Sequence, residues 1–261
     1  MSLNSISEAF TYATACYHKD GKGYDDLLGI KIPISTNYIK LNSPIDAGFI
    51  AIYPDQIVFS FQGTKNAKAW ISDFDIYPLK DRELKNGEWG EGTIADGFYT
   101  GWSAFKKIVN EVIHKATKQQ KANIICTGHS RGGALATLCG RHIAKNLKIP
   151  CSVISFASPA VGNKKYRNQF NKLPVNHTRV TYGYDIVSAV PPHALGFRHT
   201  GNNVHFVHKD WWVRLINRFR PSARFCDHHP KYCYQAIRTY LKKKGSLISL
   251  QFLDIYVGNK V

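Results

Sequence analysis

The stretch Gly128-His129-Ser130-Arg131-Gly132-Gly133 decides the fold class of this chain. It follows the apolar run at 123–127 and precedes Ala134-Leu135-Ala136-Thr137-Leu138, an order typical of a strand, a tight turn and a helix. A sharp turn of this kind presents a serine hydroxyl at the carboxyl edge of a sheet, and the flanking glycines allow strand and helix to pack closely around it. The sequence therefore predicts a nucleophilic serine at position 130.

Strand and helix patterns alternate along the rest of the chain. Strands are predicted at 47–53, 56–61, 123–127, 151–157, 178–182 and 203–207, and helices at 5–17, 98–118, 131–146 and 228–241. This alternation predicts an α/β fold with a mostly parallel central sheet and helices on both faces. The first two strands, joined by a tight turn, predict antiparallel strands near the N-terminal edge. We find no repeat or linker and expect a single domain over residues 1–261.

The composition limits the partners of the protein. The chain has 261 residues, 44% hydrophobic, and a formal net charge of +17. A field of this sign attracts nucleic acid or acidic membrane surfaces. Zinc-finger spacing, RNP motifs and basic-zipper heptads are all missing from the sequence, so we expect no nucleic-acid partner and favour peripheral contact with an anionic membrane.

The sequence gives two indications about location. Its apolar runs are all shorter than the roughly 18 residues that span a bilayer, so we expect no transmembrane segment. Residues 1–10 lack a basic start followed by an apolar stretch. We therefore expect a cytoplasmic protein or export by a non-classical route.

Six cysteines are scattered along the chain, as is typical of a reducing compartment. Cys126, Cys139 and Cys151 fall in predicted buried elements and are expected in the core. Cys226 and Cys233 could instead form a short-loop disulfide. Together with the intervening acid and histidines they could also bind zinc, although the spacing matches no common zinc module, and we expect no metal site.

A nucleophilic serine requires a base, an acid that orients the base, and donors for the oxyanion. Asp185 directly follows the predicted strand 178–182, where a carboxylate reaches the same sheet edge as the serine. His228 and His229 are both candidates for the base, and the spacing leaves the choice open. The oxyanion donors are expected to be the N–H groups of Arg131, just after the serine, and of Thr64, just after the strand 56–61.

These residues belong to an ordered series of motifs that resembles the class 3 (fungal-type) lipases of the α/β-hydrolase superfamily. The series consists of Phe61-Gln62-Gly63-Thr64, Gly97-Phe98, the Ser130 motif extended to Leu135, Phe156-Ala157-Ser158-Pro159-Ala160-Val161-Gly162-Asn163, Asp185-Ile186-Val187 and Asp227-His228. The resemblance covers about residues 47–241. It implies the α/β-hydrolase fold and a lipase that hydrolyses triacylglycerol or monoacylglycerol esters through an acyl-enzyme, with no cofactor.

The resemblance also implies residue roles. Ser130 is then the nucleophile, Asp185 the orienting acid and His228, in preference to His229, the base. Thr64 and Arg131 supply the oxyanion hole. Two alternatives stay open, a phospholipase A-type activity on anionic membranes and a catalytically silent lipid-binding member of the fold.

Two departures from the family pattern concern charge. Gln62 replaces the usual arginine, which removes an expected internal ion pair. Arg131 replaces a leucine, and we expect its cation to stand beside the site while its backbone N–H is retained.

Two segments are candidates for lipid contact. Residues 65–74 correspond to the family's lid, with Trp70, Ile71 and Phe74 as its apolar face. Residues 211–220 combine large apolar side chains with arginines, a composition typical of an interfacial helix. The same composition suits a helix packed on the core with arginines that reach water, and this second interpretation is the one we expect.

Overall fold

A computed structural model describes residues 3–17, 37–44, 46–64, 78–80, 92–119, 122–208 and 210–245. The strands are β1 Asn37–Asn42, β2 Ala47–Ile52, β3 Gln56–Phe61, β4 Pro78–Lys80, β5 Thr93–Ala95, β6 Asn123–His129, β7 Cys151–Phe156, β8 Gly162–Asn163, β9 Val175–Tyr182, β10 Phe197–Arg198 and β11 Asn202–Phe206. The helices are α1 Leu3–Ala15, α2 Asp96–Gln119, α3 Arg131–Asn146, α4 Lys164–Phe170, α5 Trp211–Phe219, α6 Pro221–Asp227 and α7 Pro230–Gly245.

The central sheet has seven strands in the order β1-β2-β3-β6-β7-β9-β11. The pairs β1–β2 and β2–β3 are antiparallel, whereas β3, β6, β7, β9 and β11 run parallel. The predicted mostly parallel sheet with an antiparallel N-terminal edge is therefore confirmed. Because the five parallel strands share one direction, the loops after them meet at one edge of the sheet.

A second, four-stranded sheet, in the order β10-β8-β5-β4, was not predicted. Its strands are only two or three residues long. Strands this short show no readable alternation of apolar and polar residues, and their pairing joins segments far apart in the chain. The sequence pattern therefore gave no sign of this sheet.

The core lies on both faces of the central sheet because side chains alternate along each strand. Helices α2 and α3 cover one face, where the predicted stripe of α2 is buried against Phe59 and Phe61 of β3. That stripe consists of Phe98, Trp102, Phe105, Val109 and Val112. Helices α1 and α7 cover the other face and bury Phe10 and Ile237 against Phe156.

The cysteines confirm one prediction and decide an open alternative. Cys126, Cys139 and Cys151 are buried in the core, as expected. All six thiols are free, so the alternative Cys226–Cys233 disulfide is not formed. Cys226 is exposed near the end of α6, whereas Cys233 points into the core from α7.

The described ranges lack any group of three or more His, Cys, Asp or Glu side chains that could hold a metal ion. None of the helices within them combines the length and the apolar character needed to cross a bilayer.

Three histidines inside the fold are held in the neutral form. Burial is the main reason why the pKa of His129 lies well below its ordinary value, and the nearby His228 is the second. Burial and the charge of Arg179 lower the pKa of His177 in the same direction, and they lower the pKa of His199 to about 3. The native protein therefore binds fewer protons than the unfolded chain in mildly acidic solution.

We expect the free energy of unfolding to fall as the pH drops below about 6.5, where the histidines of the unfolded chain bind protons and the native ones do not. Each histidine that stays neutral in the native protein contributes on the order of 1 kcal/mol to this loss for each pH unit below that value, so the three together account for a few kcal/mol at pH 5.5. Urea unfolding at pH 7.5 and pH 5.5 measures this loss. His177→Gln should reduce the pH dependence by about one third, and an unchanged dependence in this variant would contradict the assignment.

Candidate active site

Ser130 occupies a strained turn between β6 and α3. Its backbone angles are φ 57° and ψ −130°, outside the regions that residues with a side chain favour. Two hydrogen bonds hold it there, since its N–H donates to the carbonyl of Phe156 (2.9 Å) and its carbonyl accepts from the N–H of Gly133 (2.9 Å). The turn presents the side chain at the carboxyl edge of the sheet.

Glycines at two positions allow the turn to approach the neighbouring strand. A Cβ on Gly132 would overlap the carbonyl of Phe61 at the end of β3. A Cβ on Gly128 would overlap the backbone of Gly132 in the first turn of α3. Any larger residue would push α3 away from β3 and β6, so the close packing around Ser130 requires glycine here.

Asp185 lies in the loop that follows β9, and its carboxylate is buried. Oδ1 accepts from the N–H of Val187 (2.9 Å), and Oδ2 accepts from the hydroxyl of Ser188 (2.8 Å). These two bonds fix the carboxylate in one orientation.

His228 lies in the turn between α6 and α7, just before the helix that was predicted to contain it. Its Nδ1 lies 3.0 Å from Oδ1 of Asp185, with both side chains buried, although the N–H is not aligned well enough to form a regular hydrogen bond. His229 is exposed, and its Nδ1 accepts from the N–H of Lys231 (3.2 Å). The structure therefore brings His228, and not His229, to the carboxylate of Asp185.

Three buried polar atoms at this edge have no hydrogen-bond partner among the described residues. They are Oγ of Ser130 and the two ring nitrogens of His228, of which Nδ1 lies beside Asp185 and Nε2 has no charged neighbour of this kind. Most buried polar atoms in native proteins are paired, because leaving one unpaired costs about 1–3 kcal/mol. An unpaired hydroxyl and an unpaired imidazole nitrogen are the groups that a nucleophile and its base present to a substrate.

The segment that follows β3 lies against Ser130. A Cβ on Gly63 would lie 3.1 Å from the Cβ of Ser130, and Thr64 is the next residue. The N–H of Arg131 belongs to the first turn of α3, where backbone amides have no acceptor within the helix. Both expected oxyanion donors therefore belong to segments next to Ser130.

A hydrogen-bonded chain that sequence reasoning missed connects Tyr17, in the turn after α1, to the turn of His228. Nε2 of His129 lies 3.0 Å from the carbonyl oxygen of His228, and a carbonyl can only accept, so Nε2 carries the proton. In the neutral ring Nδ1 then accepts from the hydroxyl of Tyr17 (3.1 Å). The two imidazole rings also pack at 4.8 Å between centroids. His129 thus fixes the backbone of the turn, and its place beside Ser130 in the motif was the one signal available.

The side chain of Arg131 corrects the expectation of a free cation beside the site. Its Nε and Nη2 donate to the two carboxylate oxygens of Asp46 at 2.6 and 2.8 Å, and Nη2 also donates to the carbonyl of Gly97 (2.7 Å). The pair is buried, and Gly101 of α2 leaves the space for it. Because Asp46 neutralises the guanidinium, Arg131 does not present a bare cation to Ser130.

This ion pair also corrects the expectation drawn from Gln62. The N–H of Gln62 donates to the carbonyl of Ala47, the residue after Asp46. The backbone of residue 62 is thus next to the segment that carries Asp46. An internal ion pair is present without an arginine at position 62, because Arg131 supplies the cation.

The expected lid contacts Trp70, Ile71 and Phe74 lie outside the described residues.

Comparison with known proteins bears on this site. Residues 58–195 match the family model of class 3 lipases. The chain is 31% identical over 146 residues to secreted mono- and diacylglycerol lipase 1 of Fusarium solani, covering 56% of this chain and 42% of that protein. It is 28% identical over 182 residues to phospholipase A1-II 3 of Oryza sativa subsp. indica, covering 56% of this chain and 43% of that protein. The match thus spans less than half of either relative.

The fold is also found in solved structures. The lipase from Rhizopus microsporus var. chinensis superposes with a TM-score of 0.67 at 24% identity, covering 78% of this chain and 75% of that structure. The expected α/β-hydrolase fold is therefore confirmed.

We expect Arg131→Leu, which introduces the family's residue, to destabilise the protein by about 3–5 kcal/mol because it leaves the carboxylate of Asp46 buried and unpaired. Adding Gln62→Arg should restore most of this loss, since it brings a guanidinium back to the same carboxylate. Urea unfolding of the two variants measures both effects. A swap variant no more stable than Arg131→Leu would show that residue 62 does not reach Asp46.

Proposed function

The chain belongs to the class 3 lipase family, and we propose that it hydrolyses carboxylic esters of lipids with Ser130 as nucleophile, His228 as base and Asp185 as orienting acid. The observation that supports this most is the buried constellation at the carboxyl edge of the sheet. It combines a strained serine, an imidazole with an unpaired Nε2 and a fixed carboxylate 3.0 Å from the other ring nitrogen.

In the first step Oγ of Ser130 attacks the ester carbonyl carbon while Nε2 of His228 accepts the hydroxyl proton. The carboxylate of Asp185 stabilises the imidazolium that forms and holds its tautomer. The negative charge that develops on the carbonyl oxygen is stabilised by the N–H groups of Thr64 and Arg131. When the tetrahedral intermediate collapses, His228 returns the proton to the leaving alcohol and Ser130 carries the acyl group.

In the second step water attacks the acyl-enzyme. His228 accepts a proton from this water, and the same oxyanion donors stabilise the second tetrahedral intermediate. Release of the fatty acid returns the proton to Ser130. The two-step reaction consumes one water molecule for each ester bond and needs no cofactor.

We propose glycerides as the substrates. One of the similar proteins is named as a mono- and diacylglycerol lipase. A phospholipase A-type activity on anionic membranes is the second candidate. It is supported by the net charge of +17 and by the similarity to a phospholipase A1. Both candidates use the same attack on an acyl ester and differ in the group that the leaving alcohol carries.

We expect an alkyl phosphonate ester to label the chain once, at Ser130, because phosphonylation requires a hydroxyl activated by a base. Ser130→Ala should abolish labelling and lower kcat on a short-chain ester by more than about 10⁴-fold. Mass spectrometry locates the label, and a panel of mono-, di- and triglycerides and phospholipids compares the two candidate activities. Labelling at another serine, or full activity of Ser130→Ala, would contradict the mechanism.

The two adjacent histidines provide a matched pair of variants. We expect His228→Gln to lower kcat by more than about 10³-fold, because it removes the proton acceptor of Ser130. His229→Gln should retain kcat close to that of the unmodified chain, since its ring lies at the surface and contacts Lys231. Steady-state kinetics on a soluble ester measures both. The reverse order of effects would assign the base to His229.

A further inference from the structure

Helix α5 leaves its large apolar side chains exposed. In the described part of the chain eight large apolar side chains are exposed, and six of them lie on this nine-residue helix. Phe219 is 74% exposed and Trp212 59%. None of the residues of α5 is buried. The expectation that this segment packs on the core is therefore wrong.

The helix geometry shows that this exposure is systematic. At about 100° per residue, the five largest apolar side chains fall within an arc of about 140°. They are Trp211, Trp212, Leu215, Ile216 and Phe219. A surface helix normally turns such an arc toward the core. Here it points outward, and we call it the outer face of α5.

Asn217, on the opposite side of the helix, faces the protein. Its side-chain amide lies 3.0 Å from Nε2 of His208 and 3.5 Å from Oδ1 of Asp227. Nε2 of His208 also contacts Oδ1 of Asp227 at 2.7 Å. This polar attachment fixes the rotation of α5, so the outer face cannot turn inward without breaking these part-buried contacts to Asp227 and His208.

The same attachment joins α5 to the proposed active site. Asp227 is buried, directly precedes His228, and accepts the N–H of Tyr184 (2.8 Å), the residue before Asp185. In addition, β11 runs parallel to β9, so α5 follows the carboxyl end of β11 at the sheet edge that also carries Ser130. A surface that touches α5 is therefore brought to the edge where the active site lies.

The charges around the outer face favour an anionic surface. Arg214, Arg218 and Arg220 lie along or directly after the helix, and Asp210, just before it, is the nearest acidic residue N-terminal to them. Trp and Phe on one face with arginines beside them suit the boundary between lipid headgroups and acyl chains. A second copy of the chain would place the same arginines against each other across a two-fold axis, and a net charge of +17 opposes that association.

We propose that α5 docks the protein on anionic phospholipid surfaces. Its outer face enters the interface, and Arg218 and Arg220 pair with lipid phosphates. This inference rests on the proposed action on lipids and adds the element that brings the active-site edge to them. At about 14 Å the helix is too short to span a bilayer, so it lies in the plane of the interface.

Vesicle sedimentation of the full chain tests this proposal, with Ser130→Ala present in every variant so that no lipid is consumed. We expect binding to vesicles of equimolar phosphatidylcholine and phosphatidylglycerol. Leu215→Asp should weaken it at least about tenfold, because it places a carboxylate in the outer face. Leu195→Asp is the matched control, since Leu195 is similarly exposed (54% against 45%) and lies outside α5. It should bind as the parent does.

A second variant tests the charges. Arg218→Gln together with Arg220→Gln should weaken binding to the anionic vesicles about 30-fold, which corresponds to about 1 kcal/mol for each arginine. Binding to pure phosphatidylcholine should not change. This variant keeps the outer face intact, so it stays informative if Leu215→Asp fails to fold.

Several results would overturn the proposal. One is equal binding by Leu215→Asp and Leu195→Asp, and another is equal binding of the parent to both vesicle types. A third is the lack of vesicle binding by the parent, which is the result expected if residues 246–261 or an acidic protein cover the outer face. Because binding is measured without turnover, these outcomes are independent of the phosphonate and kinetic tests of the proposed activity.

Discussion

The close contact between β3, β6 and the first turn of α3 is the constraint on which the rest of the site depends. It forces Ser130 into a positive φ angle and requires glycine at positions 128 and 132. The strained conformation directs the side chain of Ser130 out of the sheet edge, whereas a relaxed turn would point it along the sheet. The same contact places the segment after β3 beside Ser130, so the proposed nucleophile and one expected oxyanion donor are positioned by a single packing requirement.

Buried polar contacts then hold the surrounding loops in register. Asp46 joins the start of β2 to α3 through Arg131, and His129 joins Tyr17, just after α1, to the turn of His228. Asp227 joins that turn to the loop of Asp185. Each of these groups is largely satisfied by partners from other elements, which is the condition under which buried polar groups specify one arrangement. By contrast, the hydroxyl of Ser130 and Nε2 of His228 have no hydrogen-bond partner among the described residues, and these are the two atoms that the proposed mechanism uses.

The predictions that succeeded depended on local patterns. The stripe of α2, the turn around Ser130 and the parallel strands follow from the spacing of residues close together in the chain. The predictions that failed required contacts between distant segments. Asp46 is 85 residues from Arg131, so no spacing could show that the cation of Arg131 is neutralised. Similarly, the composition of residues 211–220 suits either orientation of the helix, and only the contacts of Asn217 with His208 and Asp227 decide between them.

The orientation of α5 has an energetic consequence for the whole molecule. Leaving large apolar side chains in water forgoes about 1.5–3 kcal/mol for each one that could have been buried. Because Asn217 holds the helix in this orientation, the free energy of burying these side chains is not gained on folding. In the proposed docking it is gained when the outer face enters a lipid interface, without any change of fold. Because β9 and β11 are parallel, the loop of Asp185 and helix α5 lie at the same edge of the sheet. The lipid surface that covers the outer face of α5 is therefore also the surface that an ester-hydrolysing site at Ser130 must reach.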